Sequence, residues 1–84
     1  MHKHEGIVVV AYKVGQPRSQ IEADLTLAEL GDEFLTAVSH PDGHEGLAAK
    51  VNRIDEASQL VDELQDAGFE ACALMRPTTG WRVV

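Results

Sequence analysis

The sequence has one cysteine, few aromatic residues and half as many basic as acidic residues. A single cysteine, Cys72, cannot form an intramolecular disulfide, so we expect a protein of the reducing cytoplasm. No apolar run approaches the roughly 20 residues of a membrane span, and residues 1–6 do not resemble a secretory signal. Seven Lys and Arg against 14 Asp and Glu give a net charge of −7, which argues against direct binding to nucleic acid or to membranes.

The remaining composition is that of an ordinary globular protein. The chain has 84 residues, 44% of them hydrophobic and 25% charged, which suits one domain over residues 1–84. We expect residues 1–5 to be flexible, because they precede the first apolar run.

Local signals are clearest in the last third of the chain. Residues 47–51 alternate apolar and polar, which predicts a strand. Ala57, Leu60 and Leu64 then recur at helical spacing, with Asp55 placed to cap this helix and Gly68 placed to end it. Two apolar runs follow, joined by a turn at 77–80, and they predict a closing hairpin. The strands on either side of the helix should run parallel through a right-handed crossover.

The first half of the chain allows two interpretations. Residues 7–14 are β-branched and apolar on both faces, which predicts a central strand. Residues 20–27 alternate strictly, which predicts a second strand at 19–25 and then a helix near 27–38. The buried residues of that helix would be Leu27, Leu30, Phe34 and Val38. The alternative is one long helix from residue 19, which must include the weak helix formers Asp24, Thr26 and Gly31.

Together these elements predict an α+β fold. We expect a two-layer sandwich in which two helices pack on one face of a mixed sheet of four to five strands. The predicted order is ββαβαββ, and the alternative order is βαβαββ, a variant of the ferredoxin-like topology.

Thirteen of the 14 acids fall in two tracts, 19–49 and 54–75, that contain no Lys or Arg. The helical pattern places six of these acids away from the apolar side of the two predicted helices, and we take them as the candidate partner-binding residues. They are Glu29, Asp32, Glu33, Asp62, Glu63 and Asp66.

The loop at 40–45 carries two imidazoles and two carboxylates within six residues, and His2 and His4 add two further imidazoles. Its weak candidates for a metal site are His40, Asp42, His44 and Glu45. Divalent metals use such ligands, but no cysteine pair or helical His-Glu-x-x-His pattern accompanies them, so we expect a polar loop with no metal and no cofactor.

Other chemistry finds little support in the sequence. Cys72 lies in a predicted strand, where a small buried apolar residue is the expected role. Tyr12 and Trp81, together with basic residues on the predicted β-strands such as Lys13 and Lys50, resemble a stacking surface for single-stranded RNA. We instead expect Trp81 to cover the open side of the sheet. No nucleophile and base are paired, so we expect no enzyme.

The favoured function is therefore a small acidic, non-catalytic binding or regulatory protein. We expect a protein partner with a basic surface, by analogy with phage, mobile-element or immunity-type inhibitors of nucleic-acid-binding proteins. The alternative is a small-ligand or metal sensor that uses the loop at 40–45. Exposed sheet edges also lead us to expect a homodimer.

Overall fold

The computed structural model describes residues 7–74 and 80–84, which form five strands and two helices. In chain order these are β1 (Ile7–Tyr12), α1 (Arg18–Leu27), β2 (Thr36–Ser39), β3 (Glu45–Val51), α2 (Ile54–Asp66), β4 (Glu70–Leu74) and β5 (Arg82–Val83). The predicted flexible residues 1–5 and residues 77–79 of the predicted turn lie outside the described part. None of the helices described is long and apolar enough to cross a lipid bilayer.

The strands form one sheet in the order β4-β1-β3-β2-β5. This confirms the predicted α+β class with two helices and a single sheet. The sheet is antiparallel rather than mixed, because every described pairing of neighbours is antiparallel. The element order is βαββαββ, so both predicted orders are wrong in detail; the first six elements follow the ferredoxin-like order. The strands flanking α2 do run parallel, since β3 and β4 are both antiparallel to β1 between them.

Residues 19–25 belong to helix α1, and the predicted second strand is wrong. Ile21 and Leu25 lie one helical turn apart and are fully buried, so a period of four explains the apolar positions as well as a period of two does. The long-helix alternative has the correct start but ends too late, because α1 stops at Leu27. The sequence predicts that four residues are buried in a helix at 27–38. Leu30, Phe34 and Val38 are buried but lie in non-helical segments, and Leu27 is 82% exposed.

The two faces of the sheet carry different layers. Val9 and Ala11 of β1 belong to the main core, which includes Ile21 of α1 and Leu64 of α2, so both helices pack on one face as predicted. Val10 faces the opposite side, in a smaller apolar cluster against which Trp81 packs. Val9, Val10 and Ala11 have no exposed surface, which confirms the predicted central strand.

Arg18 fixes the start of α1 to the sheet. Its guanidinium donates hydrogen bonds to the carbonyl oxygen of Val38 at 3.0 Å and to that of Gly46 at 3.4 Å. Its backbone N–H, at the first position of the helix, donates to Glu45 Oε1 at 2.7 Å. Glu45 therefore satisfies one of the helix N-terminal donors.

The end of α2 follows its local signals more closely than its start. Gly68 adopts φ +92°, and the N–H of Phe69 donates to the carbonyl of Leu64 at 2.9 Å, which closes the helix as predicted. Arg53 rather than Asp55 holds the N-cap position, and Asp55 lies within the first turn. The predicted closing hairpin is wrong, because β5 pairs with β2 at the sheet edge opposite β4.

Candidate functional site

The six candidate partner-binding acids are all exposed, but only three of them are on a helix. Asp62, Glu63 and Asp66 lie on α2 as predicted. The other three lie in the irregular segment 28–35 between α1 and β2, so their predicted helical position is wrong; they are Glu29, Asp32 and Glu33. Leu30 and Phe34 anchor this segment, because both side chains are buried in the main core.

A hollow of about 470 Å³ lies between α1 and the segment 28–35; we call it the α1 hollow. Its lining combines apolar and acidic residues: Leu25, Phe34, Leu35 and Leu47 with Glu22, Glu29 and Asp32. Leu35 is 79% exposed beside the carboxylates. Exposed apolar side chains ringed by charge are typical of protein-binding surfaces. Sequence reasoning missed Glu22 and Leu35, because their proximity to the other residues depends on the turn after α1.

A second hollow, of about 350 Å³, joins the two acidic tracts; we call it the α2 hollow. Glu33 from the segment 28–35 lines it together with Glu56 and Glu63 of α2 and Lys50 of β3. Asp66 shares a neighbouring hollow with Glu63 and the end of α1. Five of the six acids thus line three hollows that border the segment 28–35, two of them also bordered by α2, and we call this region the acidic side.

Asp62 lies one helical turn before Asp66 on α2 but lines none of the three hollows that hold the other five acids. It lines a hollow on the opposite flank of α2, next to Ile54, Val61 and residues of β4. Its carboxylate therefore provides a control position on the same helix.

Within the described ranges none of the six carboxylates forms an ion pair with Lys or Arg, although Lys50 lines the α2 hollow together with Glu33 and Glu63. The ion pairs of Lys and Arg there join Lys13 to Asp24 and Arg53 to Asp55, and neither pair includes one of the six. The Lys13 Nζ, 2.9 Å from Asp24 Oδ2, holds the pKa of Asp24 below its usual range, and a hydrogen bond from Gln20 adds to this effect. The field of the six acids is consequently directed outward.

Glu29 has a backbone conformation that glutamate rarely adopts. Its φ is +63°, in the left-handed region where helices usually end on glycine or asparagine. The N–H of Leu30 donates to the carbonyl of Leu25 at 2.8 Å across this residue, the hydrogen bond that closes a helix. The nearby glycine, Gly31, lies two residues further along the chain. A left-handed non-glycine residue costs free energy and frequently marks a functional position.

The four loop residues proposed as weak metal ligands do not converge. His40 Nδ1 accepts a hydrogen bond from the Asp42 N–H at 3.1 Å and lies 3.4 Å from Asp42 Oδ2. The His44 ring stacks on Tyr12, with centroids 5.4 Å apart, and Glu45 accepts from Arg18. Among the residues described, no group of three metal-ligand side chains is placed to hold an ion.

Trp81 covers the open face of the sheet, as predicted. Its ring lies 5.0 Å from Tyr12 and 5.1 Å from His40, centroid to centroid. The Trp81 ring thus contacts the rings of both Tyr12 and His40. Lys13, one of the basic residues considered for RNA binding, forms the ion pair with Asp24. Its Nζ also lies 4.7 Å from the centroid of the Phe69 ring. Arg76, another of these basic residues, is outside the described residues.

The pKa values of the Cys72 thiol and the Tyr12 phenol are both raised. Cys72 is half-buried against the cluster that contains Val10, and burial raises the pKa of its thiol. The pKa of Tyr12 is also raised, chiefly by desolvation and then by the nearby Cys72 and Glu70. A raised pKa makes a thiol or phenol a weaker nucleophile at neutral pH.

No protein-family model matches this chain, and no curated protein or solved structure matches it significantly.

Proposed function

We propose that this chain is a small, acidic, non-catalytic binding protein that acts on a protein partner with a basic surface. The partner docks on the side formed by the α1 hollow and the α2 hollow, with apolar side chains entering near Leu35 and cations facing Glu29 and Asp32. Inhibitors of nucleic-acid-binding proteins, of the phage or immunity type, fit this description at the level of class. From its cysteine content we place it in the cytoplasm.

The strained backbone of Glu29 is the observation that carries the proposal. A glycine at φ +63° would close the helix without a steric penalty, whereas an L-residue costs about 1–2 kcal/mol in this region. The residue present nevertheless adds a carboxylate to the rim of the α1 hollow. Natural proteins commonly retain such a cost where the side chain serves function.

Because the Glu29 backbone is strained while its carboxylate serves binding, replacement by glycine should change stability and binding in opposite directions. We expect Glu29→Gly to raise the free energy of unfolding by about 1 kcal/mol and to weaken partner binding. A Glu29→Gly variant that is less stable than the parent contradicts the strain argument. A variant that is more stable and binds equally well assigns Glu29 no role in the interface.

The binding experiment compares two variants of matched charge. The tagged full-length chain is used to capture proteins from its native host at about 0.1 M and at about 1 M salt, between which the Debye length falls from about 10 Å to about 3 Å. We expect a partner with a basic surface that is lost at high salt and lost with Asp32→Lys. The control Asp62→Lys, on the other flank of α2, should retain it. Equal capture by both variants would place the interface elsewhere.

The sensor alternative proposed from the sequence has less geometric support, because the described residues contain no group of three metal-ligand side chains, and His44 and Glu45 contact Tyr12 and Arg18 instead. Self-association remains a separate proposal. Within the described part, β4 pairs only with β1 and leaves its outer edge unpaired, and such edges favour pairing with a second chain. Light scattering at high micromolar concentration tests this, and a monomer would contradict it.

A further inference from the structure

A third hollow, of about 270 Å³, lies on the face of the sheet opposite the helices; we call it the open-face hollow. Val8, Val10 and Val38 form its apolar floor, Trp81 and Val83 line it from the C-terminal segment, and Lys50 lies at its rim. None of these residues belongs to the acidic side described above except Lys50, which also borders the α2 hollow.

The walls of this hollow are held in place by contacts outside it. Trp81 contacts the rings of Tyr12 and His40. The following residues form β5 on the edge of β2, where Val83 pairs with Val38. The N–H of Val84 adds a hydrogen bond to the carbonyl of Ala37 at 2.9 Å. The hollow is thus a formed feature of the fold, as small-molecule sites usually are.

The charge around this hollow is opposite in sign to that of the whole protein. Asp and Glu account for 14 of the 84 residues, yet the described residues that line the hollow include none of them. Lys50 and Arg82, two of the seven basic residues of the chain, line it instead. Lys50 forms no ion pair with any carboxylate of the described residues.

We infer that the open-face hollow binds a small apolar carboxylate, with its hydrocarbon part on the valine floor and its carboxylate at Lys50. The volume limits the ligand: a cavity of about 150 Å³ accepts benzene, so about 270 Å³ suits roughly ten non-hydrogen atoms. Octanoate has this size and chemistry and serves as the probe.

Trp81 is the single tryptophan of the chain, so its fluorescence reports directly on the hollow. The full-length protein is titrated with octanoate, with 1-octanol and with octylamine, which share a hydrocarbon chain but differ in charge. We expect a saturable change with octanoate and about tenfold weaker binding of the other two, because only the carboxylate forms a hydrogen-bonded ion pair with Lys50. This comparison requires no variant.

Two variants then test the position of the charge. Lys50→Met keeps the length of the side chain and should weaken octanoate binding about tenfold while leaving 1-octanol unaffected. Arg53→Met removes the same charge from an exposed residue that does not line the hollow, and should leave both affinities unchanged. Far-UV circular dichroism confirms that each variant is folded.

Three results would overturn the inference. They are the absence of saturable octanoate binding, equal affinity for octanoate and 1-octanol, and an equal loss of octanoate affinity in Lys50→Met and Arg53→Met. If octanoate fails to bind and light scattering shows a dimer in which Trp81 is shielded from an added quencher, the face belongs to a second copy of the chain instead.

Discussion

Gly80 is the residue whose replacement best tests how the C-terminal segment is held on the sheet. Its φ is +95°, and a Cβ added to it would lie 2.7 Å from His40 Nε2 and 3.1 Å from His40 Cδ2. The backbone conformation alone costs an L-residue about 1–2 kcal/mol, and forced crowding costs about 1–3 kcal/mol more. We therefore expect Gly80→Ala to lower the free energy of unfolding by about 2–5 kcal/mol.

The assay is urea denaturation followed by circular dichroism, with native Trp81 fluorescence recorded in parallel. Gly15→Ala is the matched control, because Gly15 has φ +81° but no atom within 4 Å of an added Cβ. Gly15→Ala should therefore lower the free energy of unfolding only by the cost of the left-handed backbone conformation, about 1–2 kcal/mol. Gly80→Ala should exceed this loss and also shift the native Trp81 emission to the red, since Trp81 loses its contact with His40.

A double-mutant cycle with His40→Ala isolates the crowding. Removing the imidazole should reduce the further cost of Gly80→Ala to the level of Gly15→Ala, so that the two changes are not additive. If Gly80→Ala and Gly15→Ala lose the same stability, and His40→Ala leaves the cost of Gly80→Ala unchanged, the close approach between Gly80 and His40 is refuted.

Two further predictions concern the helical layer. Leu64→Ala removes a side chain with no exposed surface and should lower the free energy of unfolding by about 2–5 kcal/mol. Leu27→Ala, at an 82% exposed residue, should change it by about 0.5 kcal/mol or less, and equal losses would contradict the orientation of both helices. Lys13 lowers the pKa of Asp24. The stability that ionised Asp24 contributes should therefore be present above its unfolded pKa of about 3.9, and it should be lost as the pH falls through the pKa of Asp24 in the folded protein. The difference in urea midpoint between the parent and Asp24→Asn should therefore disappear as the pH is lowered below about 4. A difference that is independent of pH would contradict the ion pair between Lys13 and Asp24.

The sequence predicts α2 and its end well because the deciding signals are local. Ala57, Leu60 and Leu64 lie on one side of a helix, and Gly68 supplies the left-handed residue that ends it. Each of these features depends on residues within a few positions of one another, so no knowledge of the remaining fold is needed.

The segment 19–38 could not be assigned in this way, because its apolar residues satisfy two periods. Ile21, Ala23 and Leu25 alternate as in a strand, while Ile21 and Leu25 alone suit a helix. The helix gains contacts that are distant in sequence: Arg18 bonds to the carbonyls of Val38 and Gly46. Such bonds are invisible to local patterns, and so is the pairing of β5 with β2.

The candidate site was predictable in its charges but not in its shape. Exposure of the acids follows from composition and spacing. Their grouping depends on the turn at Glu29, which brings Glu33 beside Glu63 and leaves Asp62 on the other flank. The apolar part of the α1 hollow likewise needs Phe34 to fold back onto Leu25 and Leu47.

Lys50 links the two proposed binding properties, because it borders both the α2 hollow and the open-face hollow. A carboxylate bound at Lys50 offsets the positive charge nearest to Glu33 and Glu63, and so makes the acidic side more negative toward a basic partner. By thermodynamic reciprocity, the partner must then raise the affinity for the carboxylate by the same factor. The groups are exposed to solvent, so the coupling should not exceed about 1 kcal/mol, or roughly fivefold in affinity. Partner affinity measured with and without saturating octanoate should therefore rise modestly in the parent and stay constant in Lys50→Met; a fall in the parent would contradict this coupling.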